Sequence, residues 1–520
     1  MLKGRKNSTW SNRKKLLVIL IIALILVSFF ILSFTGYFSK KTENNKPITQ
    51  DEIPPSLRIV EVSSIDSMMS AITKAKPGDH IILQNGVYDT TNWLNEHEAK
   101  NMLVRGIYGN DAAPIVIQAE TVGGVVLVGS GGFRFSDVAY LIISGFKFNH
   151  SQDSSESTDD SAIQCKLCKF VRFTRNEFAL ETTTNIHSDW LQITSGLSEH
   201  NRIDHNTFRN KHTLGVFLFI FGGKDGVAKY TLVDHNYFFD QSNKAGNGGE
   251  CIRIGNSAQG LKSAFTTIEY NLFEQCNGDS ESITVKSSDN LIRWNTFNNN
   301  HGSLTFRHGN NNVADGNIFV NGQGGIRVYG HDHKIINNYF ENNVGTGVRK
   351  TLVVGTGTID TDLSRSNNEH SQPQNILVSH NTLLNNLHGI VIGDEGNPLS
   401  PINVIIVDNI VVGNSGSLIE QIAGEAKYDN NIIFGNSTTG NVPQSGWVNI
   451  DPVLSRNKGL ERPISGSPAI NSVSSATNHK VGHDINGNLR DSMEDIGAEE
   501  YLSGKLRYPL TRSSVGPYAK

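Results

Sequence analysis

A three-residue motif, Asn-x-Phe or a close variant, recurs through the middle of this 520-residue chain and constrains its fold more than any other feature. The shortest interval between copies, from Asn317 to Asn338, is 21 residues, and the longest, from Asn338 to Asn381, is 43. A period most often of 21 to 30 residues indicates a solenoid, in which each repeat forms one coil and stacks on the next. The motif begins at Asn176, Asn206, Asn236, Asn271, Asn295, Asn317, Asn338 and Asn381, and it fades at Asn409.

Short stretches of alternating apolar and polar residues fill each interval, and helical signals are almost absent. Leucine-rich repeats are excluded, since neither their leucine lattice nor a helix per repeat is present. Coils built of strands alone predict an all-β parallel β-helix with inward Ile, Val, Leu and Phe side chains. Asparagine suits a tight turn because it tolerates left-handed backbone, and stacked amides can form a ladder. We therefore interpret the repeated asparagines as structural and not as catalytic.

The N-terminal segment has the features of a membrane signal anchor. Residues 1–15 are basic, and an uncharged apolar run, LLVILIIALILVSFFILSF, follows within residues 16–35. As a helix this run extends about 28 Å, close to the thickness of the hydrocarbon layer. The positive flank predicts a cytoplasmic N-terminus, which leaves the rest of the chain outside the cytoplasm, periplasmic or extracellular. An uncleaved anchor is favoured because the run is long and lacks a small-x-small cleavage site; cleavage would give a secreted protein.

Composition also suggests the boundaries of the remaining segments. Residues 36–56 are polar and contain proline, as expected of a linker, and residues 57–502 form the predicted β-helix, followed by a tail at 503–520. The stretch from Ser64 to Lys76 predicts a helix that caps the first coil. An insertion after Phe340 carries Glu369 and His370, whose orientation the sequence does not define.

Charge and cysteine content narrow the function. The formal net charge of −4 provides no basic field, so we expect no nucleic-acid partner. Four cysteines are too few to hold so long a chain together by disulfides. Cys165 and Cys168 form a single C-x-x-C pair, which makes a zinc ribbon improbable and favours buried thiols, with a disulfide as the alternative for an exported domain. The oligomeric state is not indicated.

Two short strands, at 283–286 and 304–307, point to a functional surface. Both alternate apolar and polar residues, with the apolar side chains on the inward face. If the strands stack in register, Lys286 and Arg307 are outward-facing neighbours about 4.8 Å apart. Adjacent cations suggest that this face binds an anion.

Other polar residues belong to the same surface. Asp279 and Glu281 precede the first strand, and Tyr329 ends the next alternating segment and extends the outward column. Taken singly, these residues have ordinary interpretations, since outward Lys and Arg are usually solvated and acids in turns are usually solubilising. The functional interpretation depends on their combination.

Several longer motifs, taken in order, resemble polysaccharide lyase family 6, the group of alginate lyases and chondroitinase B. The resemblance covers about residues 57–500 and implies a right-handed, single-stranded parallel β-helix. It also implies an enzyme that cleaves an anionic uronate polymer by β-elimination, with alginate ahead of chondroitin or dermatan sulfate. The motifs are KPGDHIILQNGVY, NGGECIRIG, ESITVKSSDNLIRWNTF, GSLTFRHGN, GGIRVYGHDHKIINNYF and the ending DINGNLR…DIGAEE.

The resemblance assigns roles to single residues. It implies that Lys286 is the catalytic base and Arg307 the catalytic acid. Asp279 stands where the family most often has glutamate, so its reach toward a metal is one methylene shorter. The implied calcium ligands are Asn247, Asp279 and Glu281, and the substrate-binding set is His308, Arg327 and Tyr329 together with Arg253, which faces outward by the same alternation.

This chemistry requires such residues. The C5 proton of a uronate is too weakly acidic for removal unless the adjacent carboxylate is neutralised, and Ca²⁺ with hard oxygen ligands can do this. Lys286 must be neutral to accept the proton, and cations beside it lower its pKa. Arg307 stays charged and can stabilise or protonate the leaving oxygen.

Two other functions remain open from the sequence. A non-catalytic carbohydrate-binding β-helix would favour aromatic platforms, and Tyr329 is the only aromatic residue expected in the central column. A β-helix hydrolase would need paired or tripled carboxylates facing the groove, whereas the column carries Lys and Arg. The sequence defines neither endo nor exo action.

Overall fold

A computed structural model describes residues 52–152, 161–182, 187–242, 248–360, 369–394, 396–413, 415–440, 442–473 and 479–519. The basic segment 1–15, the predicted anchor 16–35 and most of the linker 36–56 lie outside these residues. No helix among the described residues combines the length and the apolar character that a membrane span requires. The described residues belong to one compact unit, Gln50–Lys520.

Three long parallel sheets make up the solenoid, and the chain visits each sheet once per coil. The first sheet has the strands Arg58–Val62, Asp79–Leu83, Ile115–Ala119, Leu141–Ser144, Arg172–Thr174, Arg202–Asp204, Leu232–Asp234, Thr267–Glu269, Leu291–Arg293, Val313–Asp315, Lys334–Ile336, Gln374–Ser379, Ile402–Val407 and Ala426–Asp429. The second has Met102–Arg105, Phe133–Ala139, Ile163–Lys169, Leu191–Thr194, Leu218–Ile220, Ile252–Gly255, Glu281–Lys286, Ser303–His308, Ile326–Val328, Leu352–Val354, His388–Ile392 and Ser417–Gln421. The third has Gly86–Asp89, Val125–Val128, Phe146–Phe148, Glu177–Phe178, Thr207–Lys211, Tyr237–Gln241, Leu272–Cys276, Thr296–Asn298, Ile318–Val320, Tyr339–Glu341, Thr382–Leu384, Ile410–Val412, Asn431–Phe434 and Trp447–Val448. This arrangement confirms the predicted all-β parallel β-helix.

The remaining elements are short. The helices are Ile65–Thr73 and Thr90–Glu96, with single 3₁₀ turns at Ser257–Gln259, Gly347–Arg349, Gln444–Gly446 and Arg512–Ser514. Three small strand pairs are Ser151–Gln152 with Glu181–Thr182, Gly222–Gly223 with Gly226–Val227, and Leu454–Asn457 with Leu460–Pro463.

The helix predicted within residues 64–76 is present at Ile65–Thr73. Ser64 caps its N-terminus by accepting a hydrogen bond from the Ser67 backbone N–H. Its apolar face buries Met68 and Ile72 in the main core, which runs the length of the solenoid between the three sheets. The helix therefore packs against the first strands of the solenoid.

The repeated asparagines form the predicted ladder, but their turn geometry differs from the prediction. Asn206 is fully buried, and its Oδ1 accepts hydrogen bonds from the backbone N–H and Nδ2 of Asn176 in the preceding coil. The same pair of bonds continues from Asn206 to Asn236 and onward to Asn431. The left-handed backbone belongs to the residue before the asparagine, for example Arg175 with φ 54° and His205 with φ 53°. The asparagine is thus selected by the ladder and not by the turn.

The phenylalanines of the motif stack in a second ladder inside the core. Phe178, Phe208 and Phe238 have ring centroids 4.5 and 5.0 Å apart, with nearly parallel planes. The stack continues through Phe273 and Phe297 to Phe340. Both ladders hold successive coils in a fixed register, which fixes the positions of the outward side chains.

The C-terminal residues 503–519, predicted as a tail, pack against the solenoid. Arg507 donates from Nη2 to the Trp294 carbonyl at 2.8 Å, and the Gly516 N–H donates to the His235 carbonyl at 2.8 Å. Val515 is buried beside Tyr237. The segment therefore runs back along the outside of the solenoid toward earlier coils, a path that the sequence pattern did not predict.

Candidate active site

The candidate site lies on the outer face of the second sheet. Strand register aligns one outward residue per coil, and the central members are Arg253, Thr284, Thr305 and Arg327. The inward neighbours Ile283, Val285, Leu304 and Phe306 are fully buried in the core, as predicted from the alternation. Parallel stacking sets successive members about 4.8 Å apart.

A β-bulge changes the predicted pairing of the two catalytic candidates. Val285 pairs with Phe306, but the Cα partner of Lys286 is His308, so Arg307 is the extra residue of its strand. The prediction that Lys286 and Arg307 are direct register partners is therefore wrong. A bulge re-aims the side chains around it, and here it turns Arg307 toward Glu281.

Glu281 organises the two arginines of the column. Its Oε1 accepts hydrogen bonds from Arg327 Nη2 at 2.6 Å and from Arg307 Nη1 at 3.1 Å, and its Oε2 accepts one from the Thr284 hydroxyl. Burial alone would raise the pKa of this carboxyl, but Arg327, Arg307 and Thr284 lower the pKa to about 2. Glu281 is thus charged and holds both guanidinium groups on the outer face.

Two further carboxylates lie beside Glu281, and one of them was not predicted. Glu250 contacts the Thr284 hydroxyl at 3.1 Å and pairs with Arg253 Nη2 at 2.5 Å. Asp279 accepts 2.6 Å hydrogen bonds from the backbone N–H groups of Gly248 and Ser280. Burial, together with the charges of Glu250 and Glu281, raises the pKa of Asp279 to about 6. Glu250 lies within NGGECIRIG, so the motif contained the signal.

Asp279, Glu250 and Glu281 offer the carboxylate oxygens that a divalent cation prefers, although their ligand atoms do not all lie within 4.8 Å of one another and two of the carboxylates are paired with arginines. Buried carboxylates that repel one another are stabilised when a cation lies between them, and oxygen ligands suit Ca²⁺. The structure places Asp279 and Glu281 in this cluster, whereas the third predicted ligand, Asn247, lies outside the described residues.

Lys286 has the environment that a general base requires. Its side chain is half-buried, and burial, followed by the positive charges of Arg253 and Arg307, lowers its pKa below the ordinary 10.5. Glu281 and Glu250 act in the opposite direction but do not cancel this effect. The amine therefore loses its proton more easily than an exposed lysine does.

Three of the four predicted substrate-binding residues are buried and therefore do not line an open groove. His308 is fully buried, and its ring Nε2 lies 3.1 Å from Ser257 Oγ. Arg327 is almost fully buried in its contact with Glu281, and Tyr329 is fully buried. Only Arg253 remains partly exposed, with 18% of its side chain accessible and its guanidinium 5.4 Å from the centre of the Phe219 ring.

The outer face of the second sheet carries more aromatic side chains than the sequence pattern predicted. Phe219 is the register partner of Arg253 and shares the outer face with Phe221, at a centroid distance of 4.9 Å. Both rings are partly exposed. Tyr329 is therefore not the only aromatic residue of the column. The alternation in LFIF (218–221) could have revealed this pair.

His370, in the insertion, reaches the site. Its ring stacks on Tyr329 with centroids 4.1 Å apart. Burial, followed by the charges of Arg307 and Arg327, lowers its pKa to about 4, so the imidazole is neutral at pH 7. No local pattern in the sequence could place it, because its position depends on how the insertion folds back.

All four cysteines form disulfides, Cys165–Cys168 and Cys251–Cys276, so the favoured interpretation of free buried thiols is wrong. Cys251 follows Glu250 directly, and Cys276 precedes Asp279 by three residues. The second disulfide therefore joins the two segments that carry the acidic cluster.

We expect the Cys251–Cys276 disulfide to contribute more stability than the Cys165–Cys168 disulfide. It closes a separation of 25 residues instead of 3. Chain entropy predicts a loss of about 3–4 kcal/mol for the Cys251→Ser/Cys276→Ser variant and about 1.5–2 kcal/mol for Cys165→Ser/Cys168→Ser. Urea unfolding of both variants measures the difference, and equal losses would contradict it.

Comparisons with known proteins relate this chain to one family and to several solved structures. Residues 62–445 match the family model described as Chondroitinase B. The structure of the PL6 family alginate lyase AlyGC is 28% identical, with a TM-score of 0.68, and the match covers 78% of this chain and 55% of that one. A mutant of AlyGC is 26% identical, with a TM-score of 0.71 and coverages of 88% and 58%.

A PL6 alginate lyase in complex with a trisaccharide has the same fold, with 19% identity, a TM-score of 0.63 and coverages of 79% of this chain and 92% of that one. The chain spans little more than half the length of AlyGC. A search of curated proteins gave no significant match.

Proposed function

This chain belongs to the chondroitinase B family, and on that premise we propose that it is a polysaccharide lyase that cleaves an anionic uronate polymer by β-elimination. Alginate is the first candidate substrate, and chondroitin or dermatan sulfate is the second. The observation that carries the proposal is a half-buried Lys286 of lowered pKa beside Arg307, over a cluster of buried carboxylates.

In the proposed reaction, Lys286 in its neutral form accepts the C5 proton of the uronate. The electrons of the C5–H bond form the C4–C5 double bond, and the C4–O bond breaks. In this proposal the Arg307 guanidinium faces the leaving oxygen; it either stabilises the negative charge that develops there or donates a proton to it, and solvent then restores the guanidinium proton. The contact with Glu281 orients Arg307 for this role.

We further propose a calcium site at Asp279 and Glu281, with Asn247 as third ligand. Bound there, Ca²⁺ would neutralise the uronate carboxylate next to the C5 proton. Burial and the neighbouring charges of Glu250 and Glu281 raise the pKa of Asp279, which supports a cation at this place. Asp279 already holds the Gly248 N–H, which positions the following turn for Glu250 and Arg253.

A glycoside hydrolase is the second candidate, because one observation favours it. Asp279, with a pKa of about 6, and Glu281, with a pKa of about 2, are neighbouring carboxyls whose pKa values differ widely. Such a separation is typical of an acid paired with a charged carboxylate. The ion pairs of Glu281 with Arg327 and Arg307 argue against it, since they occupy the charged partner.

We also propose that the protein acts outside the cytoplasm, held by the segment 16–35. Two disulfides support an oxidising compartment, since disulfides are rare in the cytosol.

The test is to incubate the full chain, in detergent, with alginate and separately with dermatan sulfate. We expect ultraviolet absorbance from the new C4–C5 double bond on at least one polymer, and a lower rate after chelation that added Ca²⁺ restores. New reducing ends without that absorbance would indicate the hydrolase, and binding without either signal would indicate a carbohydrate-binding protein.

Thermal unfolding tests the proposed calcium site separately from enzyme activity. Ca²⁺ should raise the thermal midpoint of the wild-type protein but not that of Asp279→Asn. Asp225→Asn, at an exposed position, is the control and should respond like the wild type. An equal shift in all three proteins would place the metal elsewhere.

A further inference from the structure

The outward column changes from polar to apolar residues directly after Arg327. Its next members, Val353 and Val391, follow Arg327 in register, and the inward positions beside them are held by core residues such as Leu352 and Ile390. Both valines have no exposed surface, as is also true of Thr284 and Thr305 earlier in the column. Something on the outer face of the sheet therefore covers this part of the column.

The covering layer is formed by residues 355–359, 369–373 and 397–400. Gly357 and Leu399 exchange two backbone hydrogen bonds, of 2.7 and 3.0 Å. The Thr358 N–H donates to the His370 carbonyl at 2.8 Å, and the Asn397 N–H donates to Thr356 Oγ1 at 3.0 Å. These bonds connect the three segments into one layer over the sheet. We call this layer the wall.

Tyr329 is buried beneath the wall, and His370, stacked on its ring, is the wall residue that lies nearest the catalytic candidates. Gly355 lies against the Tyr329 ring so closely that a Cβ at this position would come within 2.4 Å of it. The Tyr329 ring is therefore held between Gly355 and the stacked ring of His370. Arg327 lies on the catalytic side of this stacked pair, 5.7 Å from the Tyr329 ring centre.

The other direction along the column is open among the described residues. On the side of Arg253 away from Lys286, the successive register partners along the column are Phe219, Gln192 and Gln164. All three are partly exposed. From the coil of Lys286 to that of Gln164 is four coil steps, about 19 Å at the spacing of parallel strands. Among the residues that the structure describes, a polymer thus has a path on one side of Lys286 and a barrier on the other.

We propose that the groove ends at the wall, where His370 stacks on Tyr329, so that the enzyme acts at a chain end and releases short unsaturated products. The proposal rests on the proposed lyase function and adds its mode of action. A chain that continued past Lys286 in both directions would collide with the wall, so internal bonds do not reach the amine. The number of sugars that fit between Lys286 and the wall sets the product length.

The test compares two signals on the wild-type protein acting on a long uronate polymer. Action at chain ends raises the ultraviolet absorbance while the viscosity stays near its starting value, and one short unsaturated species dominates from the first time points. An early collapse of viscosity with products of many lengths would overturn the proposal. The absence of unsaturated product on any uronate polymer would instead contradict the lyase itself, so the two failures are distinguishable.

His370→Ala tests which residues form the barrier. Removing the imidazole should open this end of the groove. Longer products should then appear early, and viscosity should fall sooner at equal absorbance. The matched control is His97→Ala, which removes an imidazole stacked on Trp93 at 4.4 Å at the end of the helix Thr90–Glu96 and should keep the wild-type product pattern. An unchanged pattern in folded His370→Ala would exclude this residue from the barrier. If the variant does not fold, the wild-type measurement still decides the proposal.

Discussion

Lys286→Ala should lower kcat on the uronate polymer by roughly 10²–10⁴-fold, the usual contribution of a general base. The physical reason is that no other amine with a lowered pKa lies near Arg307 and Glu281 among the described residues. Binding should change much less, because Arg253 and the neighbouring aromatic rings remain in place. Initial rates from ultraviolet absorbance over a range of polymer concentrations separate kcat from KM.

Lys334→Ala is the control for this prediction. Lys334 is an exposed lysine on a strand of the first sheet, away from the outer face of the second. Its removal changes the net charge by the same amount and should leave kcat unchanged. Equal losses in both variants would show that the effect is one of overall charge and would remove Lys286 from the mechanism.

The pH dependence distinguishes a base from a residue that only binds the substrate. Because Lys286 must be neutral, kcat/KM should rise with pH and level off once the pH exceeds the lowered pKa of this amine. Arg253→Gln removes a cation that lowers this pKa and releases Glu250, which raises it. Both effects move the rise to higher pH. A rise at the same pH in Arg253→Gln would contradict the assignment of the titration to Lys286.

Glu281→Ala should lower the free energy of unfolding by about 3–5 kcal/mol, since it removes the partner of a buried cation. Arg327 and Glu281 are 2.6 Å apart, with side chains only 4% and 5% exposed. The variant should also lose lyase activity, because Arg307 is oriented by the same carboxylate. Urea unfolding in the presence of a chelator measures the stability without a contribution from metal.

Glu269→Ala is a matched control of the same geometry. Glu269 and Arg293 are also 2.6 Å apart, but their side chains are 16% and 32% exposed. An exposed pair contributes about 0–1 kcal/mol, so this variant should be nearly as stable as the wild type. The double variant Glu281→Ala/Arg327→Ala should recover part of the loss, because the buried charge is removed together with its partner. Equal losses at the two sites would mean that burial does not set the strength of the Glu281 contact.

The sequence alone determined the features that depend on repetition along the chain. The Asn-x-Phe period predicted the coils, and the alternation at 283–286 and 304–307 predicted which side chains face outward, because a strand turns successive residues to opposite faces. The family resemblance then assigned Lys286, Arg307, Asp279 and Glu281. The structure brings these four residues to one face, and their roles stay predictions.

Only the tertiary structure decided the features that depend on contacts between distant segments. The bulge that pairs Lys286 with His308 comes from the fit of two neighbouring strands, and neither strand contains a signal for it. The stack of His370 on Tyr329, the burial of Val353 and the Cys251–Cys276 disulfide likewise join residues that the chain alone does not relate. Local periodicity specifies the direction of a side chain, whereas what covers that side chain depends on how the insertions pack.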